Sequence, residues 1–215
     1  MWWLGRAGHA LVWLVIAVAL HRVGLGARAA GEEVVQLRPP LRDEYVMSWT
    51  YGSPEPSLVD DLDGDALPDV VRVGRDHPNG MQVSIHFEDG WGISLRPDTP
   101  GRGRVPVTTI KMPGIDSWGE LQAGWTAWVS VNDLTGDEWP EVILAVVAPS
   151  TDTESGLLVW QYRARHDVWF PKDLELVAYA VGYRFTLMEQ EIRVVGRDGR
   201  ERRHVWNGEW FQPDR

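Results

Sequence analysis

Two related stretches decide the fold: DLDGDALPDVVRV at residues 61–73 and DLTGDEWPEVILAV at residues 133–146. Each begins with an acidic nine-residue turn and continues directly into a β-branched segment, VVRV in the first and VILAV in the second. The two turns agree at positions 1, 2, 4, 5 and 8, carry an acid at position 9, and start 72 residues apart. Apolar, β-branched runs that follow a glycine-containing turn are typical of strands. The repetition therefore predicts a chain built from repeated turn-and-strand units.

The rest of the sequence predicts an all-β chain of antiparallel hairpins. Short apolar segments are separated by Asn-Gly and Asp-Gly dipeptides, which supply the positive φ angles that tight hairpin turns need. These dipeptides are Asn79-Gly80, Asp89-Gly90, Asp198-Gly199 and Asn207-Gly208. The segments group into three propeller-blade-like units, at about 45–95, 120–170 and 176–212, within a single domain at 45–215.

Three such units are too few for a closed β-propeller, which needs about four to eight blades. Two arrangements remain open at this point. Either the units form an incomplete propeller or a compact barrel or sandwich, or the chain completes a ring by self-association. The first arrangement is favoured, and an oligomer stays possible.

The N-terminal segment has the composition of a signal peptide. Arg6 precedes an apolar run at residues 10–20, and small residues around Ala27 and Ala29 follow it. This order predicts a secretory signal at 1–29, because an eleven-residue run is too short to span a bilayer. The alternative is an uncleaved anchor, to which Trp2, Trp3 and Leu4 would contribute. Residues 30–44, which contain Pro39-Pro40, are predicted to be a lead-in or tether. The mature protein is therefore expected to be secreted or periplasmic, with no stable membrane span after cleavage.

Composition excludes several functional classes. The chain of 215 residues contains no cysteine, so disulfides, thiolate metal sites and cysteine nucleophiles are absent. Its formal charge is −10, and without the three arginines of residues 1–29 it has 18 bases against 31 acids, or −13. A protein that follows nucleic-acid phosphates needs a basic surface, so no nucleic-acid partner is expected.

The acidic turns predict two calcium sites. Oxygen-bearing side chains at alternate positions face a common centre, and glycine at position 4 lets the backbone bend around it. Hard oxygen ligands without His or Cys favour Ca²⁺. Glycine at position 4, rather than at position 6, argues against an EF-hand. The predicted ligands of the first loop are Asp61, Asp63, Asp65, Asp69 and the carbonyl of Leu67, and those of the second are Asp133, Thr135, Asp137, Glu141 and the carbonyl of Trp139.

The D-x-D-G-D-x-x-P-D pattern followed by a β-branched strand resembles the FG-GAP or VCBS repeats of integrin-α-type β-propellers. In that family the acids at positions 1, 3, 5 and 9 and the carbonyl at position 7 hold a structural Ca²⁺. The first loop matches all five positions, whereas the second departs at Thr135 and, more mildly, at Glu141. Because the first loop gathers more charge, Asp63→Ala with Asp65→Ala is predicted to lose more Ca²⁺ affinity than Thr135→Ala in the second.

Two functional classes follow. The leading one is a non-catalytic Ca²⁺-binding repeat protein that presents a β surface to a protein or a glycan. The alternative is a carbohydrate-active enzyme or lectin with structural Ca²⁺, in which Trp118, Trp125 and Trp128 stack on sugar and Glu189 and Glu191 form an acid–base pair on one strand face. The sequence has no G-x-S-x-G, H-E-x-x-H or P-loop motif, which favours the non-catalytic class.

Overall fold

The structure is a computed structural model that describes residues 34–76, 80–98, 104–106, 110–164 and 172–214. Fourteen strands and one single-turn 3₁₀ helix at Asp43–Tyr45 form in these ranges, which confirms the all-β prediction. The strands are β1 (Val35–Leu37), β2 (Val46–Thr50), β3 (Ser57–Asp60), β4 (Asp69–Asp76), β5 (Gly80–His86), β6 (Gly92–Leu95), β7 (Thr126–Asn132), β8 (Glu141–Val147), β9 (Ser155–Ala164), β10 (Lys172–Gly182), β11 (Arg184–Met188), β12 (Glu191–Val195), β13 (Glu201–Trp206) and β14 (Phe211–Pro213).

The strands form three sheets, none of which closes into a barrel within the described ranges. The N-terminal sheet has the order β3-β4-β5-β6, and the central sheet has the order β10-β9-β8-β7-β2. The C-terminal sheet has the order β1-β11-β12-β13-β14. Successive strands within each sheet are antiparallel, and the one parallel pair among the described strands is β1 with β11.

The hairpins predicted from turn dipeptides are present. Asp76 pairs with Gly80 across the β4–β5 hairpin, and Val195 pairs with Glu201 across the β12–β13 hairpin. Gly90 and Gly199 have φ angles of +91° and +70°, the left-handed conformation for which these turns select glycine.

The central sheet is covered on both faces, and its sequence reflects this. Every residue of β8 is buried, and alternate residues belong to different cores. Val142, Leu144 and Val146 pack toward the N-terminal sheet, whereas Ile143 and Ala145 pack toward the C-terminal sheet. A strand buried on both faces reads as a continuous apolar run rather than as an alternating one. The three sheets therefore lie face to face in a row, in a sandwich-like arrangement.

The predicted lead-in at 30–44 takes part in the fold over the residues that the structure describes. β1 pairs with β11, and Val34, Val35 and Leu41 are buried in the core between the central and C-terminal sheets. The next strand, β2, pairs with β7 and so extends the central sheet rather than the N-terminal one. The signal peptide predicted at 1–29 lies outside the described residues. Among those residues, no helix is long and apolar enough to cross a bilayer.

Candidate metal centre

The two acidic loops have the same backbone conformation. The first links β3 to β4 and the second links β7 to β8. Gly64 and Gly136, at position 4, have φ angles of +74° and +75°. Ala66 and Glu138, at position 6, are also left-handed, at +64° and +72°. The sequence repeat is therefore a structural repeat. It includes a positive φ angle at position 6, which could not be predicted from Ala66 and Glu138 as residue types.

The acids at positions 1 and 9 organise each loop through main-chain hydrogen bonds. Asp61 and Asp133, at position 1, each accept N–H groups from positions 4 and 6 of their own loop at 2.7–2.9 Å. At position 9, Asp69 accepts the N–H of Leu62 at 2.9 Å and Glu141 accepts that of Leu134 at 2.6 Å. These bonds fix the turns and leave the acids at one end of each loop close together.

In the first loop, the structure brings three of the predicted ligands together. Carboxylate oxygens of Asp61, Asp63 and Asp65 lie within 4.8 Å of one another. Asp69 is not part of this group; it is 1% exposed and accepts the N–H of Leu62 and, at 3.2 Å, that of Glu88. Burial raises the pKa of Asp69, since desolvation opposes its charged form more than these hydrogen bonds favour it.

In the second loop, Asp133, Asp137 and Glu141 form the corresponding group within 4.8 Å. The Thr135 hydroxyl donates to Glu141 Oε1 at 2.9 Å, so it is adjacent to the same centre. Glu141 is fully buried, and this burial raises its pKa to about 8 despite the hydrogen bonds from Leu134 and Thr135. Three acids held so close, with one strongly desolvated, form a site that a cation would stabilise.

Lys172, at the start of β10, reaches the first loop and was not predicted from the sequence. Its ammonium lies 2.5 Å from Asp63 Oδ2 and 2.7 Å from Asp89 Oδ2. Burial lowers the pKa of Lys172, but the bonds to these two carboxylates outweigh it, so the net pKa is raised. Lys172 belongs to no motif in the sequence and is about 110 residues from the first loop. Only the packing of the sheets brings the lysine and the loop together.

Gln161, on β9, reaches the second loop and was also missed. Its amide nitrogen donates to Asp137 Oδ2 at 2.7 Å and to Thr135 Oγ1 at 3.2 Å. Each loop thus has one polar side chain supplied by the central sheet from outside the nine-residue turn. A glutamine on a buried strand was the one available signal, because a buried amide needs partners.

Each loop region also has a buried oxygen without a hydrogen-bond partner in the described part of the chain. These atoms are Asp63 Oδ1 and Gln161 Oε1. The Asp63 side chain is 4% exposed, so its unpaired Oδ1 is shielded from solvent, and Asp63 is a member of the three-carboxylate group. Buried polar atoms of this kind are rare and call for a ligand, an ion or a water.

The two loops lie side by side. Trp139 stacks on Tyr162 with ring centroids 5.6 Å apart and an interplanar angle of 2°. A Cβ added to Gly64 would lie 3.0 Å from the Trp139 ring, so the indole of the second loop packs against the turn of the first. Leu67 and Trp139 are both partly exposed, and their carbonyls stay predicted ligands.

An acidic cleft of about 370 Å³ opens beside the two loops. It lies where residues that follow β3 and β7 approach the turn between β11 and β12. Burial is the largest influence on Asp60 in its wall and raises the pKa of that carboxyl. The acids that line the cleft are Asp60, Asp61, Asp133, Glu138 and Glu189, and its other lining includes Arg42 and Tyr45.

The acid–base pair considered for a glycosidase does not have the predicted geometry. Glu189 lies in the turn before β12 and not on the strand that contains Glu191. Glu191 is held by Arg203 and Arg193, and the hydrogen bond from Arg203 is the main reason that its pKa is lowered to about 2. A carboxylate held in this way is a poor proton donor.

The tryptophans predicted as a platform do not share one surface. Trp118 is 79% exposed, Trp128 is buried in the core, and Trp125 is partly buried and packs against Gly114. Trp91, which follows the Asp89-Gly90 turn, is 42% exposed. Of the three predicted platform residues, only Trp118 is therefore well exposed.

Comparison with protein-family models, with curated proteins and with solved structures found no match for this chain. The FG-GAP and VCBS family thus stays a resemblance carried by the loop residues.

Proposed function

We propose that this protein is a secreted or periplasmic, non-catalytic Ca²⁺-binding repeat protein related to the FG-GAP and VCBS type, which uses bound Ca²⁺ to stabilise its loops and a β surface to bind a protein or glycan partner. The signal peptide predicted at 1–29 supports the location. The acid excess and the absence of cysteine agree with an exported chain in which ions, rather than disulfides, link the loops.

One observation carries the calcium proposal. Two loops with matching backbone and hydrogen bonds each gather three carboxylates within 4.8 Å, and each is accompanied by a buried oxygen without a partner. Three carboxylates so close repel one another strongly in a medium less polar than water. A hard divalent cation removes this repulsion, and in the first loop it offers a partner to the unpaired oxygen of Asp63.

The described residues suggest how the second loop would complete its ligand set. Thr135 replaces the second carboxylate of the first loop, which leaves that position with a weaker ligand. Rotation of the Gln161 amide by 180° would exchange its nitrogen and oxygen and present Oε1 to the centre. Asp133, Asp137, Glu141, the Thr135 hydroxyl and Gln161 Oε1 would then surround the ion.

Thermal unfolding of the full chain in Ca²⁺ and in EDTA tests the proposal. At a free Ca²⁺ concentration about 100 times Kd, binding to the folded state adds about 2.7 kcal/mol. For a domain of this size the midpoint would rise by about 5–10 °C. An unchanged midpoint, together with no heat of binding in calorimetry, would exclude both sites.

Substitutions within the second loop locate the effect. Asp133→Asn with Asp137→Asn is expected to abolish most of the Ca²⁺-dependent rise, and Gln161→Leu to reduce it. Asp152→Asn, at an exposed acid in the turn between β8 and β9, is the matched control and should keep the full rise. A full rise in the double variant would place the ion elsewhere.

A second candidate function, glycan binding, rests on Trp118. An indole that is 79% exposed suits stacking on a sugar face, and Glu120, two residues further along the chain, forms an ion pair with Arg75 at 2.6 Å. A glycan array with the wild type and Trp118→Ala tests this, with Trp91→Ala as the control for another exposed indole. Glycan binding that survives Trp118→Ala would remove this candidate.

A further inference from the structure

The first loop already contains a cation supplied by the chain itself. The Lys172 side chain is 11% exposed, and its ammonium contacts Asp63 and Asp89 at 2.5 Å and 2.7 Å. It also lies 4.5 Å from the centroid of the Phe87 ring, which favours a positive charge over its face. Carboxylates from two turns of the N-terminal sheet therefore converge on one ammonium of the central sheet.

An ammonium is well suited to this place. It is a compact point charge with three donors, unlike the broad guanidinium of arginine. The sequence has only two lysines, Lys111 and Lys172, and relies on arginine elsewhere. Lys111 is exposed, so it offers a comparison in which the same residue type lies away from the loops.

The second loop has a neutral side chain where the first has this charge. Gln161 donates to Asp137 and Thr135, and within the described ranges no ion pair involves Asp133, Asp137 or Glu141. In the first loop, Lys172 thus partly relieves the repulsion among the three carboxylates. In the second loop, no such positive charge relieves the repulsion among the corresponding three. A divalent ion entering the first loop would also approach an ammonium of like charge.

We propose that the ammonium of Lys172 compensates the negative charge of the first loop in place of Ca²⁺. The second loop is then the tighter Ca²⁺ site. This inference rests on the proposed function for its second half and reverses the order expected from counting carboxylates. The first loop keeps three carboxylates and binds Ca²⁺ tightly once Lys172 is removed. Lys172 also joins the N-terminal sheet to the central sheet without any metal.

Replacement of the lysine tests the proposal with two readouts on the full chain. In EDTA, Lys172→Met should lower the unfolding midpoint by about 5 °C or more, because Asp63 and Asp89 lose their counter-charge. Millimolar Ca²⁺ should restore most of this loss. Calorimetry should show Ca²⁺ affinity at the first loop increased by about tenfold or more, a change of about 1.4 kcal/mol. Adding Asp61→Asn and Asp65→Asn should cancel that gain.

Controls separate charge from packing. Lys172→Arg keeps the positive charge and should leave Ca²⁺ affinity near that of the wild type, and Lys111→Met should change neither readout. Should Lys172→Met not fold in EDTA, Lys172→Met combined with Asp89→Asn removes one acid together with the base, and the same gain in affinity is expected.

Each outcome decides between the two proposals. In the first outcome, the wild type binds Ca²⁺, but Lys172→Met has unchanged affinity or a loss of stability that Ca²⁺ does not restore. This result overturns the role of Lys172 and leaves the calcium function intact. A wild type without any Ca²⁺ response and a variant that acquires one supports Lys172 and contradicts the proposed function. Absence of binding in both proteins overturns both.

Discussion

Left-handed backbone at four positions is the residue-level feature that makes the two loops alike. Glycine accepts this conformation at position 4 without strain, whereas Ala66 and Glu138 adopt it at position 6 against the preference of their Cβ atoms. Such positions persist only where surrounding contacts enforce them, and here the N–H groups of position 6 donate to the acid at position 1.

Gly64 provides a direct test of the contact between the loops. Gly64→Ala is expected to reduce the free energy of unfolding by about 2–3 kcal/mol, because the residue has a positive φ and its new Cβ would meet the Trp139 ring at 3.0 Å. Gly90→Ala, also at positive φ but with nothing within 4 Å, should lose only about 1 kcal/mol. Urea unfolding of both variants measures the difference, and equal losses would mean that the Trp139 contact contributes nothing.

Glu191 provides a pH test that is independent of the loops. Its pKa is lowered to about 2 from 4.5, chiefly by the hydrogen bond from Arg203, with Arg193 adding to it. A carboxyl with a depressed folded-state pKa stabilises the fold above its unfolded pKa, and the contribution is lost as pH falls toward the folded value. Glu191→Gln should therefore cost about 1–2 kcal/mol at pH 7, and its difference from the wild type should shrink between about pH 5 and pH 2.

Acid titration of unfolding in the two proteins measures this difference. Glu201→Gln removes a more exposed acid, 3.5 Å from Arg193, and is expected to change stability by about 0.5 kcal/mol or less. A gap between wild type and Glu191→Gln that stays constant down to pH 2 would contradict the assignment.

At the scale of elements, the sequence predicts the local hairpins well and the long-range pairings poorly. Turn dipeptides such as Asp198-Gly199 favour one tight turn geometry, so the pairing of β12 with β13 follows from a few adjacent residues. The pairing of β1 with β11 joins residues about 150 positions apart and depends on how the sheets pack on one another. The same reason hides Lys172 and Gln161, which are brought to the loops by strands of the central sheet.

Deletion of residues 1–44 tests whether the lead-in is part of the fold. A chain that begins at Tyr45 loses β1 and exposes the pocket of Val34, Val35 and Leu41, and Asn132 loses the main-chain partners that Arg42 provides. Burying each such side chain contributes about 1.5–3 kcal/mol, so severe destabilisation is expected. A chain that begins at Ala30 is the matched control. Equal unfolding midpoints for the two chains would make residues 30–44 a dispensable tether.

At the scale of the whole molecule, we expect a monomer rather than a ring assembled from several chains, because the edges of the two outer sheets are short; the central sheet ends in the longer strands β10 and β2. The strands at the edges of the two outer sheets, β3, β6, β1 and β14, have only three or four residues each. Short edge strands resist pairing between chains. The outer surfaces also carry charge, including Arg72 on β4 and Arg202 on β13.

Light scattering coupled to size exclusion is therefore expected to give the mass of one chain, in Ca²⁺ and in EDTA alike. A mass of two or more chains that persists on dilution would favour the ring.

The double coverage of the central sheet implies a graded resistance to local opening. Either outer sheet can separate while the other core stays intact, but β8 contributes to both cores and is freed only when both are lost. Amide protons of β8 should accordingly exchange with solvent last and report the global free energy of unfolding, while those of β13 and β14 exchange through smaller openings. The central sheet would then be the part most protected from exchange, and the N-terminal and C-terminal sheets would open separately from it.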